Sequence, residues 1–267
     1  MSRALTLYFT LVRQSFRAQL EYRADSILLA LSYVALSASE FFALWAMFSR
    51  FGSLKGWTLA EVAIFYGIVE AGIALADAVS RGLDHFAEHL KSGNFDRLLL
   101  RPVDPLFLLL AEEVTVKRAG RLAQALAVLV YGCSALDHTL GLREFALLGA
   151  AVFAASTIFV GLWIFQASLC FFTTESLEVM NILTYGGAQL GQYPLTIFPA
   201  SLRRFFVGVV PIGLVVYYPG LAVLHRDDPL GAPAWLGSVA PLAGPLFLVF
   251  AVAVFKLCVR RYQSTGS

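Results

Sequence analysis

The sequence predicts an all-α membrane protein with several spans, and three observations predict it. Hydrophobic residues make up 58% of the 267-residue chain and charged residues 14%, against roughly 45–50% and about 25% in soluble domains. Apolar runs of about twenty residues, enough to cross a hydrocarbon core, recur along the chain. One long, highly charged segment, 81–121, stands between the hydrophobic runs. A soluble chain this apolar would expose large adhesive patches. The whole chain, 1–267, therefore reads as a single transmembrane domain whose partners include membrane lipid. Its net charge of +2 gives no ground for a nucleic-acid partner, since in a membrane protein the distribution of charge matters more than the sum.

Residues 1–23 suit an amphipathic helix. Leu5, Phe9, Val12, Phe16 and Leu20 share one side, and Arg3, Arg13, Gln14 and Arg17 lie largely elsewhere. A basic amphipathic helix before a span lies flat among the headgroups. No cleavable signal peptide is read here, and the run starting near Ser26 serves as the insertion signal.

The first span is 25–49, with Glu40 past its middle. Ser32, Ser37, Ala38 and Ser39 offer it small packing surfaces. The second is 59–80, where Gly67, Ala71, Gly72 and Ala74 permit close helix contact. It carries Glu70 inside and Asp77 near the cytoplasmic end, where Asp77 is expected to be solvated.

Residues 81–121 follow. Arg81–Leu90 forms a short helix bearing Asp84, His85, Glu88 and His89, ended by Lys91–Gly93 because glycine is favoured just past a helix C-terminus. Pro102 and Pro105 break the next stretch. Residues 106–121 read as a further helix, carrying Glu112, Glu113, Lys117, Arg118 and Arg121. Such charges do not sit unpaired in lipid, so this helix begins in water or at the interface.

The third span is about 120–137 and the fourth 144–172. Thr174-Glu175-Ser176-Leu177-Glu178 has the pattern of a cap for the fifth, 177–193. Asn181, Gln189 and Gln192 in that span need hydrogen-bonding partners within a membrane, as a path lining or at a subunit interface. Residues 194–225, broken by Pro194, Pro199, Pro211 and Pro219, read as a re-entrant hairpin. The last span is 234–257, and a basic tail ends the chain.

Lys and Arg set the topology, because cytoplasmic loops carry the excess. Six spans with both ends inside place 14 of the 20 basic residues in the cytoplasm and 6 outside. Seven spans would put the basic N-terminus or the basic tail outside, so six are preferred.

Glu40, Glu70 and Asp77 are costly, each about 2.5–3.5 kcal/mol at a helix centre on insertion scales. They invite a cation site or proton relay, or simply bonding between helices. His85 and His89 have the i, i+4 spacing that can hold zinc, but no third ligand stands at a metal-site spacing. Cys133, Cys170 and Cys258 are scattered and suggest neither a metal site nor a disulfide framework. No catalytic Ser-His-Asp or Cys-His set is recognisable, and no G-x-x-x-x-G-K-[ST] phosphate loop is present.

An amphipathic entry helix, six spans, a large second-to-third loop and a Pro-broken hairpin before the last span resemble the permease subunit of bacterial ABC-2 type exporters. Ser92-Gly93-Asn94-Phe95-Asp96-Arg97-Leu98-Leu99-Leu100-Arg101-Pro102-Val103 is similar to that family's loop signature. Tyr193-Pro194-Leu195-Thr196-Ile197-Phe198-Pro199 and the ending Arg261-Tyr262-Gln263-Ser264-Thr265-Gly266 are similar to its later motifs. The resemblance implies the ABC-2 exporter fold in a bacterial inner membrane, and a permease that is not itself an enzyme. It implies a separate cytoplasmic ATPase dimer that binds ATP and Mg, with no cofactor in this chain, and a second permease, identical or different. It also implies that Arg81–Ser92 docks on the ATPase through Asp84, His85, Glu88 and His89, with Arg81 at the start of that segment and Arg97 and Arg101 fixing the loop. Two other classes stand beside it. A secondary transporter using Glu40 and Glu70 would show internal repeats, and a lipid-modifying intramembrane enzyme would show an acid–base pair at one membrane face; neither feature is evident.

Overall fold

The computed structural model describes residues 23–112, 119–173 and 177–263. Every element among them is helical. The long helices are α1 (Arg23–Phe51), α2 (Leu59–Ser80), α6 (Ala119–Ser134), α7 (Leu142–Cys170), α8 (Leu177–Gly191) and α12 (Ala243–Arg261). Between α2 and α6 lie three short ones, α3 (Phe86–Lys91), α4 (Asn94–Leu99) and α5 (Pro105–Glu112). Between α8 and α12 come α9 (Ala200–Gly208), α10 (Ile212–Val223) and the four-residue α11 (Leu236–Val239). The expected interfacial helix at 1–23 lies outside the described residues except at its last position, and the first three residues of the 174–178 cap pattern lie outside them too.

Among the described residues, three helices are long and apolar enough to cross a membrane: Leu59–Lys91, Leu142–Cys170 and Leu236–Arg261, the first and last with their short extensions. The pair α9 and α10 passes the same test together but bends by 97° at its break, where Pro211 cannot donate a backbone hydrogen bond.

Helix α2 is the axis of the fold. Thr58 and Glu61 start it with a reciprocal capping box, Thr58 N donating to Glu61 Oε2 at 2.8 Å and Glu61 N to Thr58 Oγ1 at 3.4 Å. Most of its residues are buried, Glu70 and Asp77 included. It packs on α6 and α7, and α7 packs in turn on α12. Small residues make these crossings close, as their positions predicted. A Cβ on Gly67 would stand 2.8 Å from Leu129 Cβ of α6, and one on Gly72 would stand 2.7 Å from Ala155 Cβ of α7.

The short helix expected at 81–90 is present as a 3₁₀ turn (Arg81–Leu83) continuing into α3. Its stop is the expected one: Gly93 has φ +68°, a left-handed conformation that glycine takes without strain. The helix expected over 106–121 is described only as α5, ending at Glu112, and as the start of α6.

Candidate functional site: an exposed polar face and a buried charge network

Two faces develop along Arg81–Ser92. Gly82, Leu83, Phe86, Ala87 and Leu90 are buried, while Asp84, His85 and Glu88 are exposed and His89 is half-buried. Arg81 pairs with Asp84, His85 Nδ1 lies 3.6 Å from Glu88, and His89 Nε2 lies 3.0 Å from Glu112 Oε2 of α5. His85, Glu88, His89, Ser92, Asn94 and Glu112 surround a groove of about 580 Å³. Arg97 and Arg101 are exposed just beyond it. Among the described residues no three His, Cys, Asp or Glu side chains are placed to share a metal.

The buried side of this segment is held by rings. Phe86 of α3 meets Phe95 of α4 at 5.2 Å, Phe171 at the end of α7 at 5.1 Å, and Phe255 of α12 at 5.7 Å. Tyr262, just after α12, meets Phe95 at 5.3 Å and Phe171 at 5.6 Å. Edge-to-face pairs of this kind contribute about 0.5–1.5 kcal/mol each beyond area burial. The segment is thereby fixed to the ends of α7 and α12, two helices long and apolar enough to cross a membrane. Burial, and then the nearby Asp96 carboxylate, push the Tyr262 hydroxyl pKa up.

Among the long helices a charge network joins α2, α6 and the end of α8. Arg121 of α6 donates to Glu70 of α2 through Nε (2.8 Å to Oε2) and Nη2 (3.2 Å to Oε1). Its Nη1 lies 3.8 Å from Asp77 Oδ2. Gln192, one residue past α8, donates through Nε2 to Glu70 Oε1 at 2.9 Å. Glu70 and Asp77 are only 1% and 3% exposed. The expectation that Asp77 is solvated is therefore wrong: α6 covers it and supplies a guanidinium. Arg121, expected on a helix that begins in water or at the interface, lies instead in α6 against Glu70. Glu40 is exposed on α1, and Asn181 and Gln189 are exposed on α8.

The opposite end of the molecule is closed by contacts the sequence did not announce. Trp57 donates through Nε1 to Thr196 at 3.0 Å, and its ring carries the Arg226 guanidinium at 4.3 Å. Arg226 also pairs with Glu61 at 2.8 Å, and Tyr217 of α10 donates to Asp228 at 2.9 Å. Residues from the loop before α2, the bent α9–α10 pair and the turn after it thus form one cap.

The model of a family described as ABC-2 family transporter protein matches residues 34–266, and no curated protein or solved structure matches the chain.

Proposed function

We propose that this chain, which belongs to the ABC-2 family of transporter proteins, is the permease subunit of an ATP-driven exporter whose ATP and Mg are bound by a separate cytoplasmic ATPase dimer. One observation carries the reading. The segment after α2 presents Asp84, His85 and Glu88 outward, while Phe86 behind them is locked to the ends of α7 and α12. A groove on an ATPase that grips this face moves three membrane helices as one body, the kind of rigid-body transmission a transporter needs.

In this reading the chain has six spans, α1, α2, α6, α7, α8 and α12, with both termini in the cytoplasm of a bacterial inner membrane. The bent α9–α10 pair is a re-entrant hairpin that, with the Trp57–Arg226 cap, closes the outer end of the path. Dropping Arg121 from the cytoplasmic count leaves the basic bias inward. Exposed Glu40, Asn181 and Gln189 require cover in lipid, and a second permease supplies it along α1 and α8. The buried Glu70–Arg121 pair supports a structural tie within the chain rather than an ion relay.

Transport by vesicles containing the chain and its partner tests this reading. It predicts transport that stops on ATP depletion; transport sustained without ATP by a proton or sodium gradient contradicts it.

A further inference from the structure

We propose that the groove between the inner ends of α7 and α12 binds an anionic phospholipid of the cytoplasmic leaflet. The groove has a volume of about 620 Å³, within the range of built ligand sites. Its floor is apolar: Leu90 from α3, Cys170 from the last turn of α7 and Cys258 from the last turn of α12. Phe172, 72% exposed, stands at its mouth.

Its rim is cationic. Lys91 is the last residue of α3 and Arg261 the last of α12, and both line the groove and are exposed. Lys256, one turn earlier on α12, pairs with Asp104 at 3.3 Å. Lys91 and Arg261 have no such carboxylate among the described residues. Two such cations above an apolar floor fit a ligand with a phosphate at one end and hydrocarbon at the other. Leu169 on α7 and Leu257 on α12, each next in sequence to a floor cysteine, are exposed and apolar. Basic pockets at the cytoplasmic ends of membrane helices favour anionic headgroups.

The site adjoins the ring cluster, since Phe171 and Tyr262 line both. A lipid seated there braces α7 and α12 against the docking segment, making transmission sensitive to the headgroup composition of the inner leaflet. The leaflet assignment rests on the inside placement of α3 proposed above; the headgroup preference does not.

The test uses the full chain in detergent, titrated with phosphatidylglycerol or phosphatidylcholine of matched acyl chains and read by native mass spectrometry. The expected result is at least a tenfold preference for phosphatidylglycerol. Lys91→Gln and Arg261→Gln each lose about fivefold and the double variant about 25-fold, while Arg50→Gln binds as the parent does. Equal binding of the two lipids overturns the proposal. So does a double variant that keeps the parent preference, or displacement of the lipid by glycerol phosphate alone at equal concentration, which would make this a soluble-anion site. Because the titration needs no ATPase, a failure to recover an ATPase leaves its outcome standing. Labelling of Arg261→Cys by an impermeant reagent from outside intact cells removes the site from the inner leaflet and overturns that assignment.

Discussion

Arg121 holds Glu70 through two edges of its guanidinium, at 2.8 and 3.2 Å, across 51 positions of sequence. The fork matches the carboxylate plane, a geometry that a lysine ammonium cannot reproduce. With Glu70 1% exposed, the pair ties α6 to α2 where neither charge could stand alone.

Arg121→Met is predicted to destabilise the folded chain by about 3–5 kcal/mol, the usual cost of leaving a buried partner uncompensated. The double variant Arg121→Met/Glu70→Met is predicted to be milder than the single one, although Asp77 remains behind. Arg121→Lys falls between the parent and Arg121→Met. Thermal unfolding in one detergent orders the three variants; a double variant worse than Arg121→Met would mean that Glu70 is stabilised by something other than this pair.

Gly72 sets the α2–α7 distance, so Gly72→Leu forces its first side-chain carbon into Ala155. Overpacking of this kind costs about 1–3 kcal/mol. Gly149, also on α7, faces open space: a Cβ there would meet nothing within 4 Å, so Gly149→Leu is accepted with little change. Equal melting temperatures for the two leucine variants would refute the close crossing.

Phe86→Ala empties the centre of the ring cluster, a change that costs about 3–5 kcal/mol at a buried aromatic site. The outward face is untouched, so the ATPase is expected to remain bound while transport falls. Loss of ATPase binding and transport together would mean that Phe86 shapes the docking face itself.

Tyr262 links the tail to pH. Its hydroxyl pKa is raised in the fold, so the folded state favours the neutral phenol. That contribution is full below about pH 10, where unfolded tyrosine is neutral too, and is lost as pH rises through the folded value. Relative to Tyr262→Phe, the parent is predicted to lose stability above pH 10 and to match its trend below. Parallel pH–stability curves for the two would count against this.

Much of this arrangement is legible from local pattern. Gly93 marks the end of α3 because a positive φ is a local demand. Gly67 and Gly72 mark close crossings because small residues in apolar helices have few other uses. Glu70 declares itself by its cost in lipid. Its partner is hidden, because Arg121 stands in a basic run that composition assigns to water, and Asp77 is misplaced for the same reason. Rings explain the other gap. Phe86, Phe95, Phe171, Phe255 and Tyr262 are unremarkable in a chain with 22 phenylalanines, and only the fold shows that these five converge. Trp57 and Arg226 are likewise distant in sequence and meet only once the hairpin is in place.

The central claim is that the outward face of Arg81–Ser92 receives a separate ATPase. Affinity capture of the tagged full chain from its native membrane tests it most directly, comparing the parent with the variant carrying Asp84→Ala, His85→Ala, Glu88→Ala and His89→Ala. The account predicts that the parent recovers an ATPase and that the variant, inserted at equal level, does not. Equal recovery of the ATPase by both chains, or recovery of none by the parent, would contradict it.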